Sequence, residues 1–304
     1  MHKRGFQEGS RSERGFGEGG CDKTRPVFFT SPFARSLRST MISRYRHALA
    51  KHSPRLLRSV IYKTLYRQFK DQYTISPEQF RGKRILIVGP ANTLFDDLKS
   101  IDYSKVDIVV RMKNGIHTSL DLWKEDSLRC DVLFHSFAGG SQPVTLNDIN
   151  RAGVKYIVHR TLKKSAFLDT LLAEEKFGSS AGVKIVPYEH YGALSKRLGG
   201  HAPSTGMVCA DFFLDAPFKS LTFVGFTFFS TRYVAGYNDQ ITSDEAALSK
   251  VKDAGHHSPL YEARLIGDRI QEERAAGKSV YVSESMQQAL DDFGARHGAL
   301  PCSH

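Results

Sequence analysis

Residues 85–93 read Ile-Leu-Ile-Val-Gly-Pro-Ala-Asn-Thr. An unbroken branched apolar run that ends in a glycine turn and a helix start reads as a strand buried on both faces and feeding a helix. The same grammar recurs downstream in DIVVRM (107–112), DVLFHSF (131–137), KYIVHR (155–160), KIVPY (184–188), LTFVGFTFF (221–229) and SVYVS (279–283), with helix-sized gaps between the runs. The pattern predicts an α/β fold: a mostly parallel central sheet of about seven strands covered by helices.

A chain of 304 residues with 40% hydrophobic content buries one sizeable core. The formal net charge of +11 is unevenly placed. Residues 41–70 hold eight Lys/Arg and no acid, and residues 1–70 carry all of the excess. The remainder is close to neutral, which argues against a nucleic-acid-binding domain. The expected organisation is a disordered Gly- and Arg-rich leader over 1–40, a basic amphipathic helical segment over 41–80 and a catalytic domain over 81–304. In the middle segment Leu57, Ile61, Leu65 and Phe69 recur at four-residue spacing among basic residues. That stripe suits either docking on the core or adsorption to an anionic membrane surface through residues 42–70, and its charge favours the membrane. Four scattered cysteines make no disulfide framework, and no run approaches the ~20 apolar residues of a span, so a cytoplasmic chain is expected, peripheral to the membrane's inner face if the segment adsorbs.

Ligands of open parallel sheets bind beyond the carboxyl ends of the strands. Three turns there carry candidate chemistry. Gly89 with Asn92 and Thr93 forms a strand-to-helix turn, without the three glycines of a dinucleotide fingerprint; it is either a ligand site or a plain tight turn. Ser204-Thr205-Gly206 opens an apolar helix, where Ser204 caps the helix and its N-terminus either faces an anion or faces none. His257 lies just before a helix that starts near Pro259; it is either structural or a general base. The adjacent histidines 256 and 257 are poor metal ligands, having no third partner.

In this order the segments resemble the sialyl motifs of glycosyltransferase family 29. ILIVGPANTL with DIVVRMKNG is similar to the long motif, APSTGMVCADFFLDAPFKSLTFVGF to the short motif, and His257 with Glu262 to the very short motif. The likeness spans roughly residues 84 to 262 and points to a bacterial-type cytoplasmic member. It implies a Rossmann-like A-type fold and metal-independent, inverting transfer from a sugar linked to cytidine monophosphate (CMP), a sialic acid or the related acid Kdo, to a glycan or glycolipid acceptor. No cofactor or metal is implied beyond that donor. Carried over, the donor contacts fall on Gly89, Asn92, Thr93, Arg111, Asn114, Ser204, Thr205 and Gly206. His257 becomes the base, with Glu262 orienting its segment. The third motif has its nearest counterpart in Tyr237-Asn238-Asp239, which lacks the family's histidine; His201 or Arg232 is the expected substitute for its charge at the leaving phosphate. No Asp-x-Asp occurs, as suits a monophosphate donor that needs no metal clamp. The rivals are a Rossmann-type enzyme with another nucleotide cofactor and a non-catalytic, membrane-associated module that keeps the fold.

Overall fold

The computed structural model describes residues 45–49, 52, 54, 57–137 and 143–295. The leader over 1–40, with Cys21 and Cys302, lies outside the described residues.

All seven apolar runs become strands: β1 Arg84–Val88, β2 Ile108–Met112, β3 Val132–His135, β4 Tyr156–Arg160, β5 Gly182–Val186, β6 Ser220–Val224 and β7 Val280–Val282. They form one sheet in the order β5-β4-β3-β2-β1-β6-β7, with every pairing parallel. Helices fill the gaps: α1 Arg58–Tyr73, α2 Leu94–Leu98, α3 Leu146–Arg151, α4 Phe167–Phe177, α5 Tyr188–Arg197, α6 Thr205–Leu214, α7 Asp244–Ala254, α8 Pro259–Ala275 and α9 Glu284–Ala295.

Strand side chains alternate between the two faces, so each strand feeds two cores. Ile85, Ile87, Val110, Met112, Phe134 and Phe223 pack on α5, α6, α8 and α9. On the other face Leu86, Val88, Val109 and Val224 meet α2, while Leu133, Ile157 and Val183 meet α3 and α4. Both faces are covered, which is why the strands read as continuous apolar runs.

The basic helix bears on the docking alternative over Arg58–Tyr73. Tyr62, Leu65, Tyr66, Phe69 and Tyr73 are buried, and most of them pack with Phe167, Leu171 and Ile185. The inner face is therefore rotated from the expected stripe. Leu57 precedes the helix and is 55% exposed, while Tyr66 and Tyr73 turn inward because their hydroxyls donate to Glu189 and Glu174. Over Arg58–Tyr73 the buried face docks on the domain core. No described helix is long and apolar enough to cross a membrane. Cys130 and Cys209 are buried free thiols.

Candidate active-site cleft

From β1 the chain steps outward through β2, β3, β4 and β5, then returns to lay β6 on the opposite side of β1. The β1/β6 boundary is thus a topological switch point, where the loops after neighbouring strands diverge and leave a crevice. Gly89 ends β1 and Gly225 ends β6, and the two meet backbone to backbone. A Cβ on Gly89 would sit 2.2 Å from the Gly225 carbonyl oxygen, and Gly225 itself has φ +68°.

A cleft of about 840 Å³ opens at this edge, the size class of small-molecule sites. It is built from the ends of β1 (Pro90, Ala91), β2 (Met112 to Asn114), β3 (His135 to Phe137), β4 (Arg160) and β6 (Gly225 to Phe229), together with the start of α6 and His257. Lys113, Phe137, Phe228 and Phe229 in its wall all have positive φ without being glycine. Such strain, sustained by surrounding packing, concentrates at functional sites.

At the α6 start, the Ser204 hydroxyl accepts from the Met207 N–H at 3.0 Å and donates to Glu262 at 2.7 Å. The Ser204 N–H donates to the other Glu262 oxygen, also at 2.7 Å. Ser204 is therefore a cap and a strut between α6 and α8, with its hydroxyl committed to the protein. Thr205 is 4% exposed and its hydroxyl has no partner among the described residues. Burial pushes the Glu262 carboxyl up to about 7 against the opposing pull of its Ser204 bonds and Arg160.

His257 is the candidate base. Its Nδ1 donates to the Ala202 carbonyl at 2.5 Å, and its ring stacks on Phe229 at 6.2 Å between centroids. That bond fixes the tautomer with Nε2 bare. Burial, with Arg160, Lys113 and His256 adding like charge, holds its pKa below the ordinary value, so the ring is neutral at pH 7.

Asn114, Ser204, Thr205, Gly206, His257 and Glu262 line the cleft, and four other sequence candidates do not. Gly89 is spent on close approach to Gly225. The Asn92 N–H donates to Arg232, drawing Asn92 under the loop after β6. The Thr93 hydroxyl bonds Ser285 at 3.1 Å in a network with Asp97, whose carboxylate also holds the Gly225 N–H. Arg111 is fully buried and donates to the carbonyls of Arg129, Gly115, Thr118 and Ser127, so it organises the loop after β2 from within. His201 and Arg232 do not line the cleft either. Arg232 turns outward to the Thr242 carbonyl, and His201 packs on Tyr261. Tyr237 and Asn238 do reach the wall, and the Tyr237 carbonyl accepts from Asn114 at 3.2 Å.

The cations that do face the cleft include Arg160, which the sequence did not single out, and Lys113, which lay inside the expected Arg111–Asn114 stretch without being named as a contact. Their signal was available: each stands at the carboxyl end of a buried apolar run. The one grouping among the described residues able to converge on a metal, His190 with Asp211 and Asp215, lies outside the cleft. Asp211 there is already paired with Arg197 and Arg269.

No family model and no curated protein matches this chain. Among solved structures it is similar to a mammalian sialyltransferase in complex with Gal-beta-1-3GalNAc-ortho-nitrophenol, at 13% identity over 80% of this chain and 85% of that one, TM-score 0.45. It is also similar to the sialyltransferase CstII from Campylobacter jejuni in complex with a substrate analogue, cytidine-5'-monophosphate, at 14% identity over 67% of this chain and 80% of that one, TM-score 0.40.

Proposed function

We propose that this chain is an inverting, metal-independent glycosyltransferase that moves a sialic acid or related keto-sugar acid from a CMP-linked donor to a glycan or glycolipid acceptor. The observation that carries the reading is His257, held neutral with no hydrogen-bond partner on Nε2 among the described residues and in the same cleft as the start of α6. In the reaction, Nε2 takes the proton of an acceptor hydroxyl as its oxygen attacks the anomeric carbon. The bond from that carbon to the phosphate oxygen breaks on the opposite face, and CMP leaves with the electron pair, inverting the centre. The donor's phosphate lies against Thr205 and Gly206, where the helix N-terminus favours an anion. Ser204 and Glu262 hold that helix end in place. The aromatic wall of Phe226, Tyr233 and Tyr237 offers stacking surfaces for the base.

The test is calorimetric titration with CMP, and with adenosine and uridine monophosphates as controls, without added metal. Selective CMP binding is expected and justifies a screen of CMP-linked donors with His257→Ala as the inactive control. Absence of binding by any cytidine nucleotide overturns the reading.

A further inference from the structure

A leaving phosphate gains a negative charge as the glycosidic bond breaks, and the residues expected to meet that charge, His201 and Arg232, stand away from the cleft. Arg160 is 7% exposed at the end of β4. One guanidinium N–H donates to the Pro203 carbonyl at 2.5 Å, fixing the group beside the α6 start, while its Nε has no partner among the described residues. Lys113, at the end of β2, makes no hydrogen bond or ion pair among the described residues. Its backbone is held at φ 45°, a conformation that costs free energy in a lysine. Arg160 lies near enough to disfavour the lysine's charge. Glu262 offsets part of the Arg160 charge, whereas no carboxylate does so for Lys113. A desolvated lysine near a buried guanidinium, in a cleft with a threonine hydroxyl that has no partner among the described residues, is unfavourable when the cleft is empty and favourable once an anion joins them.

We infer that Lys113 and Arg160, with the Thr205 hydroxyl, form the site that receives the leaving phosphate. The inference rests on the transferase reading for the identity of the anion. As the carbon–oxygen bond breaks, the phosphodiester monoanion becomes the CMP dianion, and the second charge develops against Lys113 and Arg160. Two strand ends thus supply the charge that the Tyr237-Asn238-Asp239 stretch lacks.

The full chain and its Lys113→Met, Arg160→Met and Thr205→Val variants are titrated with cytidine, CMP, the methyl diester of CMP and inorganic phosphate, with unfolding midpoints recorded for each. Arg160→Met also removes the bond to Pro203, so Lys113→Met, which loses no partner among the described residues, carries the test. The expected result is a loss of at least about tenfold in CMP affinity for Lys113→Met, a smaller loss for the methyl diester, and cytidine affinity unchanged. CMP affinity within about twofold of wild type, or equal losses for cytidine and CMP, would overturn the inference and leave the transferase reading standing. Binding of inorganic phosphate without any cytidine nucleotide, abolished by Lys113→Met, would keep the anion site and remove the transferase. Binding of neither would remove both.

Discussion

A histidine becomes an effective base when one ring nitrogen is committed and the other is bare, and at His257 the Ala202 carbonyl does the committing. Because burial and like charge hold its pKa below the ordinary value near 6.5, the ring stays unprotonated into mildly acidic solution. The sign follows: transfer depends on the neutral ring, so His257 contributes an acid limb centred below that ordinary range, distinct from the Glu262 carboxyl, which is pushed up to about 7. pH–rate profiles of the wild type and of Glu262→Gln check this, and a limb centred above 6.5 that persists in Glu262→Gln contradicts it. Loss of the base in His257→Ala costs on the order of 10²- to 10⁴-fold in turnover. His257 was legible as a candidate from its place before Pro259, but its tautomer was not, since Ala202 is 55 residues away in sequence. Lys113 and Arg160 were each visible as the end of an apolar run but not as a pair, for a similar reason: the two runs are separated by a third strand in the sheet, and only the strand order brings their ends to one crevice.

At the scale of elements, α6 and α8 are joined at their N-termini by the Ser204–Glu262 strut. The neighbouring hydroxyls therefore respond differently. Ser204→Ala removes a cap and one of the hydrogen bonds to Glu262, and is expected to lower stability by about 1 to 2 kcal/mol. Thr205→Val deletes a hydroxyl without a partner among the described residues, so it leaves stability unchanged or slightly raised while weakening CMP binding. Urea unfolding beside CMP titration separates the two, and equal destabilisation by both changes contradicts the assignment. The sequence marked Ser204 as a cap; that the cap's hydroxyl is already bonded required Glu262 to arrive from 58 residues on. In α1 the sequence likewise specified an amphipathic helix. Which face is buried was settled by tyrosine hydroxyls that find Glu189 and Glu174 in elements far along the chain.

For the whole molecule, the switch point between β1 and β6 places the cleft, and the Gly89–Gly225 contact holds that boundary closed behind it. Alanine at Gly89 would put a methyl group into a backbone carbonyl that cannot yield without parting the two strands, so Gly89→Ala is expected to cost about 3 kcal/mol or more. The measurement is the shift of the urea midpoint at constant slope, and a stability within about 0.5 kcal/mol of wild type contradicts it. The sequence by itself determined the seven strands, their parallel burial, the α6 cap and the helix after His257, because each is written in local apolar runs and in side chains that bond their own backbone a few residues away. Only the tertiary structure decided that Gly89, Thr93 and Arg111 serve the scaffold, that Ser204 is already bonded, and that Lys113, Arg160 and Thr205 line one cleft. Those outcomes depend on which strand ends become neighbours, and strand order is fixed by long-range packing that no local pattern encodes.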